Sequence, residues 1–203
     1  MLDGRIARLT GTQSAFGAEL DSLADTVSFG VAPALLAYGW ALHSVPRAGW
    51  PAAFLFLVCG VLRLARFNVQ KNVVDSRFFV GLPIPAAAAQ LAAVVLFAPE
   101  APSQRWVAVL ALALVVTLAL LMVGTFRYHS FKGVDLRRRR RSISVLGIAI
   151  VFLLVALDPK VFLLVVTVLY TLSGPALYLL GLARRRGAEP EPAVATEEPQ
   201  AAP

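Results

Sequence analysis

Three aspartates near the amino end are the residues with the clearest potential for chemistry. Asp21 and Asp25 are four positions apart, so on a helix they stack on one face, and Gly17 lies on the same stripe one turn earlier. Asp3 precedes a polar stretch at residues 10–14, and a helix hairpin bent there would bring Asp3 opposite the other two. The spacing therefore predicts three carboxylates converging at one end of a helical structure.

Converging carboxylates repel one another unless cations lie between them. Mg²⁺ and Mn²⁺ are hard ions that prefer oxygen ligands, and such ions commonly hold substrate phosphates. Arg8 adds a fixed positive charge whose donors suit a phosphate group. The pattern predicts metal-assisted phosphate chemistry. The alternative is a set of surface acids at the start of a helix, where aspartate interacts favourably with the helix dipole.

The elements that must position these groups are membrane helices. The chain has 203 residues, of which 58% are hydrophobic and 15% charged, and its mean hydropathy is +0.73. This balance excludes an ordinary soluble domain. Residues 107–114 are apolar at every position, which excludes the alternation of a membrane β-barrel. The predicted fold class is all-α, a polytopic transmembrane bundle of six helices, at residues 18–42, 51–65, 79–98, 106–126, 142–157 and 161–182.

Lysine and arginine are distributed unevenly across this predicted bundle. Sixteen of the 19 basic residues fall on the side of the amino end, the 66–78 and 127–141 loops and the tail. The other side has only Arg47, Arg105 and Lys160. By the positive-inside rule the first side is cytoplasmic. The net charge of +7 is explained by this uneven distribution across the membrane, so nucleic acid is not a predicted partner. Residues 1–186 form the predicted membrane domain, and 187–203 a disordered cytoplasmic tail.

The spacing of the polar residues resembles the signature of a known family. The CDP-alcohol phosphatidyltransferases carry the pattern D-x-x-D-G-x-x-A-R-x8-G-x3-D-x3-D, and this chain matches its last seven fixed positions. They are Asp3, Gly4, Ala7, Arg8, Gly17, Asp21 and Asp25. The resemblance implies a membrane enzyme that transfers a phosphatidyl group from a CDP-linked lipid to an alcohol, releasing CMP, with two metal ions held by the aspartates.

Later stretches resemble the bacterial phosphatidylserine synthase branch of that family. They lie at residues 22–33, 63–68, 79–85 and 128–132, so the resemblance extends over roughly residues 3–141. It implies that CDP-diacylglycerol and L-serine are the substrates. It also implies a homodimer in the cell (inner) membrane, surrounded by membrane lipid, with its active site at the cytoplasmic face.

The resemblance also implies roles for individual residues. Asp3, Asp21 and Asp25 would ligate two Mg²⁺ or Mn²⁺ ions, and Asp25 would also act as the catalytic general base. The residues implied to line the nucleotide and CDP-lipid pocket are Gly4, Ala7, Arg8 and Gly17. Serine needs a partner for its carboxylate, for which the candidates are Arg63, Arg66 and Asn68. Those three could equally be polar residues that cap the cytoplasmic end of a helix.

The family's first aspartate would fall one position before Met1. We therefore expect the intact protein to read Asp-Met-Leu-Asp-Gly at this point, with about two further membrane helices upstream and eight crossings in all. An inactive fragment is accordingly one alternative.

Two other functions remain open from the sequence. A sibling transferase would use glycerol phosphate or inositol phosphate, but a phosphorylated acceptor requires more basic residues than Arg63 and Arg66. A cation-coupled membrane carrier would place Asp21 and Asp25 along an ion pathway near the middle of the membrane. The predicted topology places them at one end.

Overall fold

A computed structural model describes residues 15–70, 78–125, 127–129 and 154–187. This part of the chain contains six α-helices, a π-helix at Val27–Val31, a short 3-10 helix at Leu42–Ser44 and a helical turn at residues 154–157. The helices are α1 (Ala15–Thr26), α2 (Ala32–Trp40), α3 (Gly49–Gln70), α4 (Ile84–Phe97), α5 (Arg105–Val123) and α6 (Pro159–Gly187). The prediction of an all-helical bundle is confirmed. Most of the predicted helix at 142–157, and residues 188–203 of the predicted tail, lie outside the described residues.

Four helical spans of the described chain are long and apolar enough to cross a membrane. They are Glu19–Trp40, Gly49–Val69, Arg105–Val123 and Pro159–Tyr178. Helix α4 is apolar but shorter, with 14 residues. Large apolar side chains such as Trp106, Leu120 and Leu169 lie exposed on the outside of the bundle, which suits contact with lipid and would be unfavourable in water. The fold is that of an integral membrane protein.

Helices α1 and α2 form one continuous rod interrupted by a π-helix at Val27–Val31. The amide of Ala32 donates to the carbonyl of Val27, five residues earlier. Pro33 follows within the first turn of α2. Proline has no N–H and its ring presses on the carbonyl four residues before it, so a wider turn at this point relieves the conflict. The extra residue changes the rotation of α1 relative to α2.

The interior is built where α3 packs on α5 and α4 packs on α6. Large side chains such as Phe56, Ile84 and Leu118 are fully buried there, and alanines including Ala87 and Ala108 lie between them. Small residues at these positions allow the helix backbones to approach closely, which is how helices associate in lipid. Asn68 of α3 bonds to Ser22 of α1, and Arg66 of α3 bonds to Val123 at the end of α5, so α1 and the ends of α3 and α5 lie at the same end of the bundle.

The first residues of the predicted 79–98 helix are not helical, so that boundary was wrong. Strand β1 (Phe78–Val80) pairs antiparallel with strand β2 (Arg127–His129), with Phe79 opposite Tyr128. Gly81 then turns the chain with φ of 80°, and α4 begins only at Ile84, after Pro83. A glycine in the left-handed region and a proline at the cap both stop a helix from extending backwards.

The opposite end of the bundle is closed by local contacts. The indole Nε1 of Trp40 donates to the carbonyls of Ala98 at 2.8 Å and Glu100 at 3.1 Å. Asp158 caps α6, since its Oδ1 accepts from the amides of Lys160 at 3.0 Å and Val161 at 3.3 Å. The end of α2 is thus bonded to the residues that follow α4, and the start of α6 is capped locally.

Candidate active site

Helix α1 carries the first part of the candidate site. Gly17 and Asp21 are exposed, whereas Asp25 is half-buried, one turn later on the same face. Asp25 lies two residues before the π-helix, a kind of irregularity that is frequent at functional sites. The structure therefore brings these three predicted residues together on one stripe, as the spacing indicated.

The last turns of α3 bring the predicted cationic and amide groups to the same end. The side-chain amide of Asn68 donates from Nδ2 to Oγ of Ser22 at 2.9 Å. The hydroxyl of Thr26 donates to the carbonyl of Ser22, also at 2.9 Å. Ser22 lies between the two aspartates in sequence, so α3 contacts α1 beside the acidic pair.

The two arginines of α3 have different environments. Arg63 is only 7% exposed, and its guanidinium carbon lies 5.4 Å from the centre of the Phe67 ring. It also interacts electrostatically with Tyr170 of α6. Arg66 is exposed and donates from Nη1 to the carbonyl of Val123, at the end of α5, at 3.1 Å. Arg63 is thus held inside the bundle, while Arg66 links two helix ends.

A buried tyrosine connects the strand pair to α6 at this end. The Tyr128 hydroxyl donates to the carbonyl of Thr171 at 3.2 Å, and the Thr171 hydroxyl donates to Oε1 of Gln90 at 3.4 Å. The rings of Tyr128 and Tyr170 are 5.7 Å apart between centroids. Burial raises the pKa of Tyr128 to about 12, and Tyr170 acts in the same direction. The hydroxyl therefore remains a neutral donor at physiological pH.

Sequence reasoning did not identify Ser22, Gln90, Tyr128 or Thr171 as contributors at this end. Gln90 offered a signal, because it is a polar residue in the middle of an apolar segment, and such residues usually face a partner inside the bundle. The pairing of Ser22 with Asn68 had no such signal, since the two residues are 46 positions apart.

Four predicted site residues, Asp3, Gly4, Ala7 and Arg8, lie outside the described residues. Within the described residues, no group of three or more His, Cys, Asp or Glu side chains is close enough to hold a metal ion. Asp21 and Asp25 supply two carboxylates on one face. Their oxygen atoms are the donors that Mg²⁺ and Mn²⁺ prefer, and an exposed or half-buried position leaves room for ligands from outside α1. The chemistry of these two residues fits a divalent-metal site that takes its further ligands from outside α1.

The fold and this end of the bundle define an integral membrane protein with an acidic helix face beside buried cationic and aromatic groups. A family model described as CDP-alcohol phosphatidyltransferase matches residues 1–123, more than half of the chain. The chain belongs to the CDP-alcohol phosphatidyltransferase family.

Several curated relatives carry the name CDP-diacylglycerol–serine O-phosphatidyltransferase. The one from Helicobacter pylori is 41% identical over 156 residues, which cover 74% of this chain and 64% of the relative. The one from Mycobacterium leprae is 35% identical over 175 residues, covering 83% of this chain and 58% of the relative. A relative from Methanocaldococcus jannaschii is 52% identical over 87 residues, covering 43% and 40%. The chain therefore spans less than two thirds of the length of these relatives.

Proposed function

We propose that this protein transfers the phosphatidyl group of CDP-diacylglycerol to the hydroxyl of L-serine, forming phosphatidylserine and CMP. The observation that carries the proposal is the meeting of the Asp21 and Asp25 face of α1 with the Arg63 to Asn68 end of α3. The family membership supports a CDP-alcohol chemistry. The names of the relatives support serine as the acceptor.

We assign Asp21, Asp25 and Asp3 as ligands of two Mg²⁺ or Mn²⁺ ions. Bound there, the ions would neutralise the charge of the diphosphate as CMP leaves. Gly17 has no side chain and lies on the same face of α1, one turn before Asp21, so it leaves room for the nucleotide beside the aspartates. Gly4, Ala7 and Arg8 complete this assignment from the family pattern.

Asp25 is the proposed general base. It would accept the proton of the serine hydroxyl as that oxygen attacks phosphorus, with the phosphorus–oxygen bond to CMP breaking on the opposite side. A carboxylate suits this role when it lies within about 3 Å of the hydroxyl oxygen. Of the two aspartates of α1, Asp25 is the more buried, and partial exclusion of water strengthens its interaction with a bound substrate.

Arg63 is the strongest of the three candidates for the serine carboxylate. Arg66 and Asn68 are exposed, whereas Arg63 is buried. Arg63 is held by burial and by the Phe67 ring on the inner side of α3. A guanidinium in a poorly hydrated position binds a carboxylate strongly and with defined geometry.

The distribution of basic residues supports an orientation with this end at the cytoplasmic face of the cell (inner) membrane. Arg47 lies in the turn before α3, and Arg105 and Lys160 lie at the starts of α5 and α6, all on the other side, where few basic residues are expected. A homodimer is proposed on the family resemblance alone.

The test is release of CMP from CDP-diacylglycerol in detergent with Mg²⁺ or Mn²⁺. Serine, glycerol 3-phosphate and inositol phosphate are compared as acceptors, on this chain and on a chain extended upstream of Met1. We expect release that depends on serine. Release with a phosphorylated acceptor would identify a sibling transferase. No release by either chain would favour a cation-coupled carrier or an inactive fragment.

A further inference from the structure

We infer that the hydrogen bond between Asn68 and Ser22 sets the rotation of α1 and so aims Asp21 and Asp25 at the metal site, which makes Asn68 a positioning residue and not a ligand of serine. The inference rests on the proposed function for the identity of that site. Its physical basis is the contact between α1 and α3, which is independent of the acceptor.

The helical arrangement places Ser22 on the flank of the acidic face nearest α3. At about 100° per residue, Asp25 lies about 40° from Asp21 and about 60° from Ser22, between the two. The burial follows the same order, because Asp21 is exposed whereas Asp25 and Ser22 are half-buried. A small rotation of α1 would therefore move Asp25 either into the contact with α3 or away from the site.

Apolar packing does little to prevent such a rotation. None of the α1 side chains whose burial is described is buried. The large apolar residues Phe16, Leu20 and Leu23 are 76%, 54% and 62% exposed. Hydrophobic contacts define a helix rotation only where they are interdigitated. The Asn68 amide provides a directional contact in their place, with a distance of 2.9 Å to Ser22.

The π-helix makes this contact more important. In a straight helix, the rotation of α1 would follow from the buried face of α2, where Pro33, Ala34 and Ala37 are packed. The wider turn at Val27–Val31 adds a residue and so rotates α1 relative to that face. The bond from Thr26 to the Ser22 carbonyl holds only the local turn. The contact from α3 therefore acts on α1 itself, beyond the wider turn, and holds the rotation that this turn creates.

The end of α3 is itself well held, so it can act as a reference. Arg66 and Asn68 are two positions apart and point to different sides of the helix. Arg66 bonds to Val123 of α5, and Asn68 bonds to Ser22 of α1. Because α3 and α5 are packed together in the core, Asn68 connects α1 to the packed part of the bundle.

The experiment is a double-mutant cycle with a metal-binding readout. Ser22→Ala, Asn68→Ala and the double variant are prepared in the full chain. Mn²⁺ affinity is obtained from the concentration of unbound Mn²⁺, which is measured by its electron paramagnetic resonance signal. KM for serine and kcat are measured for the same variants. We expect each single variant to weaken Mn²⁺ binding about tenfold, with KM for serine unchanged. The double variant should be no weaker than either single variant, since the same contact is lost in all three.

Two controls separate positioning from general damage. Ser22→Thr keeps a hydroxyl and should retain wild-type Mn²⁺ affinity. Ser44→Ala makes the same chemical change at the opposite end of the bundle and should leave affinity unaltered.

Three results would overturn the inference. One is a raised KM for serine in Asn68→Ala with unchanged Mn²⁺ affinity, while Ser22→Ala changes neither KM for serine nor Mn²⁺ affinity. The second is additive effects in the double variant. The third is the absence of Mn²⁺ binding by the wild type. If the wild type binds Mn²⁺ but releases no CMP with serine, the proposed function fails while the cycle still tests the contact.

Discussion

Replacement of Gly174 by alanine should destabilise the protein although alanine is the better helix former. Gly174 lies within α6 and faces the ring of Tyr128. A Cβ atom at this position would overlap three atoms of that ring. Tyr128 is fully buried and its hydroxyl is bonded to Thr171 on the same helix. The ring therefore cannot move aside without loss of packing and of the hydrogen bond.

The expected magnitude follows from three contributions. Forcing a methyl group into a packed interior costs about 1–3 kcal/mol. Weakening the Tyr128 to Thr171 bond adds about 1 kcal/mol, and the higher helix propensity of alanine returns about 1 kcal/mol. The net loss in the free energy of unfolding is about 1–3 kcal/mol, and the melting temperature should fall by several degrees.

Thermal unfolding in detergent measures this effect, and Gly39→Ala is the matched control. A Cβ atom at Gly39 would meet no described atom within 4 Å, so the same change in α2 should raise stability by up to about 1 kcal/mol. The double variant that combines Tyr128→Ala with Gly174→Ala should lose less stability than the sum of the losses in the two single variants, because removal of the ring removes the overlap. If the melting temperature of Gly174→Ala equals or exceeds that of the wild type, the packing argument is incorrect.

Three further outcomes are expected. Asp25→Asn should lower the rate of CMP release at least about 100-fold, because an amide cannot accept the proton; activity near the wild-type level would exclude Asp25 as the base. Tyr128 has its folded pKa raised from 10.0 to about 12, so its contribution to stability is complete below pH 10 and is lost as the pH rises from 10 to 12. The melting temperature should accordingly fall further between pH 9.5 and pH 11.5 for the wild type than for Tyr128→Phe. Equal falls in the two proteins would contradict the assignment. Gly81→Ala should destabilise by about 1–2 kcal/mol, because φ is 80° and the added Cβ would press on the carbonyl of Met122; an unchanged melting temperature would show that the turn adopts another conformation.

The helical bundle could be predicted because it depends on local composition. Runs of about twenty apolar residues form helices in a membrane whatever their neighbours are, since every backbone polar group must be bonded within the segment. The stripe of Gly17, Asp21 and Asp25 was equally predictable, because helical periodicity alone places the three residues on one face. The boundary at residue 79 was not, because hydropathy cannot distinguish an apolar strand and turn from the start of an apolar helix.

Sequence alone determined the class of fold and the acidic pair on one face of α1. Tertiary structure decided which groups surround that pair. The bond from Asn68 to Ser22, the insertion of Tyr128 against Gly174 and the burial of Arg63 each join residues from separate elements. Such contacts depend on how helices are rotated and how closely they approach, and these quantities are set by packing across the whole bundle.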